Sequence, residues 1–213
     1  MNIDVTSLRN RSARDRWNRV SMGDLFERIR WHDPNRLVLH AWPGAYENEA
    51  NAALTAGRAD DLANQYANTI LRDISPGNIV VMVCENSSEA VLSKIGLAKA
   101  GVTIAPINPN LDNATIDSLL ELCNPAGIVI DSPFKEKIAP LIQKRKIKLL
   151  HHINIEVDNR QSPSFEDFIQ GASTKEPDVD ISGDDIWELL FTSGSTSTPK
   201  GVMVSHHNTM YVA

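Results

Sequence analysis

Residues 78–84 read NIVVMVC, one asparagine followed by an unbroken apolar run. A strand with one wet face alternates apolar and polar side chains. A strand without alternation is buried on both faces, the usual state of a parallel strand covered by helices. Helix-like segments flank the run on both sides. Ala59, Leu62, Tyr66 and Ile70 mark one face of an amphipathic helix ending near Ser75-Pro76-Gly77. Ser87 or Ser88, with Glu89, begins a capped helix through Val91, Ile95 and Ala98 that stops at Ala100-Gly101. The alternation then continues: strands over 102–105, 127–130 and 148–155, helices over 112–123 and 134–144. This order predicts an α/β fold, a mostly parallel sheet with flanking helices joined by right-handed crossovers.

The remaining segments are less regular. Five arginines (Arg9, Arg11, Arg14, Arg16, Arg19) make residues 1–20 a locally basic leader, read as solvated. From Ser21 the pattern is helical, with Met22, Leu25, Phe26 and Ile29 on one face and Asp33-Pro34 as a stop. Residues 36–41 form a short strand before the turn at Trp42-Pro43-Gly44. Lys144, Arg145, Lys146 and Lys148 fall where cations complement a helix C-terminus. Residues 159–185 are polar and read as a surface excursion with a short helix over 165–169, leading into a strand over 186–191.

Composition narrows the function classes. A net charge of −6 offers no global field for nucleic acid. No window approaches a membrane span, and residues 1–20 contain no apolar core of a secretory signal, so a cytoplasmic location is expected. Cys84 and Cys123 read as reduced, buried thiols.

The chemistry is concentrated in residues 189–205, LLFTSGSTSTPKGVMVS. Counting from Gly194, the lysine falls where a Walker loop places it, but Pro199 and Gly201 occupy the final Gly and Ser/Thr positions. A Walker loop runs into a helix, whereas residues 201–205 look like a strand, so the element is strand–loop–strand. Gly194 allows close approach of a ligand to the backbone, and successive N–H groups can form an anion nest. Thr192, Ser193, Ser195, Thr196 and Thr198 can donate hydrogen bonds to phosphate oxygens, and Lys200 supplies a point charge. By composition alone, a solvated Ser/Thr/Gly hairpin fits equally well.

The residue order goes further. Phe191-Thr-Ser-Gly-Ser-Thr-Ser-Thr-Pro-Lys-Gly201, followed by Val202-Met203-Val204-Ser205-His206, closely resembles the phosphate-loop signature of the AMP-forming adenylate synthetases, the acyl-CoA synthetase and luciferase superfamily. Ile95-Gly-Leu-Ala-Lys-Ala-Gly-Val-Thr-Ile-Ala-Pro-Ile-Asn-Pro109 is similar to the family's helix-to-strand segment. Ser197 departs from the pattern by standing where the family usually has glycine. Were positive φ needed there, serine would cost about 1 kcal/mol or more.

The resemblance implies that Thr192, Ser193, Gly194, Ser195, Thr196, Thr198, Lys200 and Gly201 bind the phosphates of ATP with Mg2+. A small-molecule carboxylic acid becomes an acyl-adenylate, and coenzyme A then takes the acyl group. No catalytic or metal-ligating residue is assigned within the chain, and His206 and His207 are read as surface or packing residues. The family's Tyr-Gly-x-Thr-Glu segment, its ribose-binding Asp and the small domain with the catalytic lysine are expected beyond residue 213. Residues 21–213 are accordingly expected to be an incomplete adenylation domain, inactive alone, whose partner is the remainder of the synthetase. An acyl-CoA ligase ranks first. An amino-acid-activating adenylation domain and a non-catalytic nucleotide- or partner-binding remnant follow.

Overall fold

The computed structural model describes residues 21–155, 159–192 and 200–212. The leader at residues 1–20 lies outside them. A 3-10 turn, Met22–Asp24, opens the described chain and leads into α1 (Leu25–His32). The strand β1 (Leu37–His40) pairs antiparallel with β2 (Ala53–Thr55) in a small two-stranded sheet. The main elements follow: α2 (Ala56–Ile70), β3 (Ile79–Val83), α3 (Ser88–Lys99), β4 (Thr103–Pro106), α4 (Asn113–Cys123), β5 (Gly127–Asp131), α5 (Lys135–Arg145), β6 (Lys148–Ile153), α6 (Phe165–Ile169), β7 (Ile186–Thr192), β8 (Lys200–Ser205) and α7 (His206–Val212).

The main sheet has the strand order β6-β5-β3-β4-β7-β8. The pairs β6–β5, β5–β3, β3–β4 and β4–β7 are parallel, and β8 returns antiparallel beside β7. The expected mostly parallel α/β sheet is thus present. The central strand β3 is buried throughout and alternates between two cores. Val80 and Met82 join the core under α2 and α3, while Ile79, Val81 and Val83 join the core under α4 and α5. This double burial is the physical reason for the unbroken apolar run.

Local chemistry sets the helix boundaries. Ser87 caps α3 by accepting the Ala90 N–H, and Asp112 caps α4 by accepting the Thr115 N–H. The two helices α2 and α3 pack so closely that a Cβ on Gly96 would lie 2.7 Å from the Tyr66 side chain, so glycine is required there. The cations closing α5 do more than complement its dipole. Lys144 and Arg145 both pair with Asp117 on α4, at 2.6 and 2.5 Å. Those hydrogen bonds, Arg145 first, hold the Asp117 carboxyl down at about 2.

The polar excursion includes α6 as expected, but its end is fastened to the body. Asn64, Gln65 and Asn68 on α2 donate side-chain hydrogen bonds to the carbonyls of Thr174, Ala172, Ser173 and Lys175. These bonds satisfy a stretch that forms no regular structure. The strap brings Glu176 onto Lys99, whose side chain is fully buried against Asp60 as well. No described helix is long and apolar enough to cross a membrane.

Candidate functional site

Parallel strands carry their ligand sites beyond their carboxyl ends, at the point where successive connections leave for opposite faces. Here that point lies between β3 and β4. The chain leaving β3 enters α3 on one face, and the chain leaving β4 enters α4 on the other. A crevice of about 480 Å³ opens there, lined by Cys84, Glu85 and Asn86 after β3 and by Asn108, Pro109 and Asn110 after β4. Cys123 is buried as expected, whereas Cys84 is only half-buried because it stands at this open edge. Burial foremost, and then Asp131, push the Cys84 thiol well up, so it is protonated and a poor nucleophile.

Behind the crevice, Asp131 at the end of β5 accepts the Glu85 N–H at 2.6 Å. Its other oxygen is buried with no hydrogen-bond partner among the described residues. Burial raises this carboxyl to about 7, against the opposing pull of the Glu85 hydrogen bond. The folded protein therefore keeps this proton up to about pH 7, while the unfolded chain releases it near its ordinary value of 3.8. Stability is thus lost as pH rises through that window. Asp131→Asn retains an acceptor for Glu85 and cannot ionise. Its stability relative to the parent is expected to grow by on the order of 3 kcal/mol between pH 4 and 8. Chemical denaturation at a series of pH values measures this, and a pH-independent difference would refute it.

Beside the crevice, the β7–β8 hairpin carries the hydroxyl-rich stretch. Ile104 of β4 is in register with Glu188 of β7. From that point β4 runs two residues to Pro106 and β7 runs four to Thr192, so the hairpin overhangs the sheet edge by about 7 Å. At its mouth Thr192 pairs with Lys200, and Phe191 with Gly201. Both Thr192 and Lys200 are exposed, and no described carboxylate pairs with the Lys200 ammonium. The two strands expected on either side of the hydroxyl-rich stretch are present, with β8 in place of the helix a Walker loop requires. Ser193, Gly194, Ser195, Thr196 and Thr198, like Ser197, lie outside the described residues.

The base of the hairpin is held by groups that sequence reasoning did not select. Thr103 donates its hydroxyl to the Ile186 carbonyl at 2.7 Å, and Lys94 pairs with Glu188 at 2.6 Å. The Lys94 ammonium also lies over the Trp187 ring, 5.3 Å from its centroid, and the His206 ring stacks on the same indole. Since β8 ends at Ser205, the two histidines begin α7, and His206 is a buried packing residue. A second polar cluster, also invisible in the sequence, surrounds Lys99: Asp24, Glu27 and Glu176 lie within reach of one another. Burial is the first cause raising each of these three carboxyls.

An overhanging hairpin, whose Lys200 ammonium meets no described carboxylate, thus lies beside a switch-point crevice at the carboxyl edge of the sheet. The chain belongs to the family of AMP-binding enzymes, whose model matches residues 27–213. The nonribosomal peptide synthetase phqB of Penicillium fellutanum is 34% identical over 185 residues, covering 86% of this chain and 7% of the synthetase. ATP-bound MatB from Rhodopseudomonas palustris is 26% identical, with a TM-score of 0.71, covering 89% of this chain and 36% of MatB. A long-chain-fatty-acid-CoA ligase from Archaeoglobus fulgidus shares the fold, with a TM-score of 0.76 at 19% identity. That likeness covers 88% of this chain and 36% of the ligase. The chain therefore spans only a small part of the relatives it matches.

Proposed function

We propose that the chain forms the phosphate-binding side of an active site that activates a carboxylic acid with ATP. The observation carrying this reading is the meeting of Thr192 and Lys200 at the overhanging hairpin mouth, within the span matched by the AMP-binding family. An exposed ammonium without a described carboxylate partner and an exposed hydroxyl opposite it suit the oxygens of a polyphosphate. A carboxylate oxygen of the acid attacks the α-phosphorus. The bond from that phosphorus to the bridging oxygen breaks, leaving an acyl-adenylate and pyrophosphate. In this step Lys200 neutralises charge on the departing phosphates and Thr192 donates a hydrogen bond to them. Ser193, Ser195, Thr196 and Thr198 add donors, while Gly194 and Gly201 let the backbone approach. Such catalysis is positioning and electrostatic stabilisation, with no covalent enzyme step. Mg2+ would enter on the nucleotide, since no described carboxylate stands at the hairpin mouth to ligate it.

Two acceptors fit the second half-reaction. Coenzyme A is favoured by the segment Ala98-Lys-Ala-Gly through Pro109 and by Ser197, which resemble CoA ligases. Activation of an amino acid for a carrier-bound thiol is favoured by the 34% identity to a nonribosomal peptide synthetase. The test is exchange of labelled pyrophosphate into ATP by the full-length protein carrying this chain, with amino acids screened against alkanoic and aryl acids. Exchange that depends on one class of acid is expected. AMP release on adding coenzyme A then selects the first acceptor. MgATP binding with no exchange for any acid would refute the reaction and leave a nucleotide-binding remnant.

A further inference from the structure

The lysine of the hairpin can act on phosphate only if the hairpin is fixed relative to the sheet. The register between β7 and β4 rests on one residue pair, Ile104 with Glu188, so side chains at the hairpin base bear much of this task. One of the most deeply placed is His206, the residue directly after β8, which is 1% exposed. Its Nδ1 accepts the Met22 N–H at 2.9 Å, which places the ring proton on Nε2. Its ring stacks on Trp187 of β7, with centroids 6.2 Å apart and planes 24° from parallel. Its backbone N–H donates to the Asp185 carbonyl at 3.2 Å. Burial lowers its pKa to about 4, so the imidazole is neutral near pH 7 and Nδ1 stays an acceptor. The next residue reinforces the anchor: the His207 N–H donates to the Gly183 carbonyl at 2.8 Å. A Cβ on Gly183 would fall 2.2 Å from the His207 ring, so a side chain there would displace that ring. One end of β8 is thus clamped among the N-terminal turn, β7 and the loop before it. Lys200 is the other end of the same strand.

We infer that His206 is a positioning residue for the phosphate site, fixing Lys200 through β8 by joining that strand to Trp187 and to the Met22 backbone. This inference rests on the reading of Lys200 as a phosphate ligand.

Two variants separate positioning from general stability in the full-length enzyme. Met22→Pro deletes the N–H that His206 accepts together with the half-buried Met22 side chain that packs on the core, so Met22→Ala, which keeps the N–H, is its control. Proline is tolerated at the first position of a helical turn, and Ser21 before it is already extended (φ −118°, ψ 141°). His206→Ala removes the ring, and His206→Asn returns an acceptor near Nδ1. Met22→Pro and His206→Ala are expected to raise KM for MgATP by roughly 5-fold or more, while KM for the acid changes by less than about twofold. His206→Asn is expected to recover most of the loss. Lys200→Ala serves as the reference. If Lys200→Ala raises KM for MgATP but Met22→Pro and His206→Ala only lower the melting temperature, the positioning role is overturned and the phosphate reading stands. If Lys200→Ala itself leaves KM for MgATP unchanged, both are overturned.

Discussion

Lys200→Ala is expected to lower kcat/KM for MgATP by about 10- to 100-fold, leaving KM for the acid and for the thiol acceptor within about twofold. The magnitude follows from the bond that alanine cannot make. A charge-assisted hydrogen bond contributes about 1.5–3 kcal/mol, and each 1.4 kcal/mol is about tenfold. The selectivity follows from placement. Lys200 stands opposite Thr192 at the overhanging mouth, and its ammonium has no described carboxylate partner whose loss would disturb the fold. It is exposed, so alanine creates no cavity. Thermal stability should therefore change little, and the effect should appear in MgATP kinetics. Lys200→Arg keeps the charge but spreads it over a planar fork, so it should recover only part of the loss. Initial rates with MgATP, acid and acceptor varied in turn decide the matter. An equal loss for MgATP and acceptor would remove Lys200 from the phosphates.

Most of the sheet was legible because each buried strand is a short apolar run between capped helices. Residues 79–83 and 127–131 lie inside or within one residue of the expected spans, and α6 matches its expected span. What escaped has physical reasons. The strand β2 is three residues, Ala53–Thr55, within a stretch whose alanines suit a helix; pairing with β1 decides it. The helix α7 reads HHNTMYV, with no apolar stripe to announce it, and is started by Ser205 and Asn208 bonding each other. The strand expected to reach residue 155 stops at Ile153, where Asn154 turns to bond Glu47. For the site, the hydroxyls and lysine were visible as a motif. The crevice was not, since it depends on β3 and β4 being neighbours whose connections diverge. That order is a long-range property absent from local periodicity. The same holds for His206, whose partners Met22 and Trp187 are distant in sequence.

Lys99 illustrates the gap most strongly, and its replacement carries the largest expected loss of stability. In the sequence it is the last cation of a helix, a position usually solvated. In the fold its side chain is fully buried, 3.0 Å from Asp60 and 2.6 Å from Glu176. Gly23 of the N-terminal turn presses on it, since a Cβ there would lie 2.8 Å from Lys99 Cγ. Lys99→Met keeps the stem but removes the cation, stranding carboxylates that burial already disfavours. Removing one partner of a buried pair costs about 3–5 kcal/mol. Arg30, which also bonds Asp60 at 3.1 Å, and the part-exposed Glu176 place the expectation near the lower figure. For a chain of this size about 3 kcal/mol corresponds to roughly 6–12 °C in Tm. The loss should shrink as pH falls, because burial raises the pKa values of Glu176, Asp24 and Glu27 and these carboxylates are neutralised sooner than ordinary ones. A Lys99→Met, Asp60→Asn, Glu176→Gln triple variant should recover more than half of it, by replacing stranded charges with neutral groups of the same shape. Thermal melts at pH 5 and 8 test both statements. A penalty unchanged by pH and unrelieved in the triple variant would mean that Lys99 stabilises the fold by packing, with its charge irrelevant.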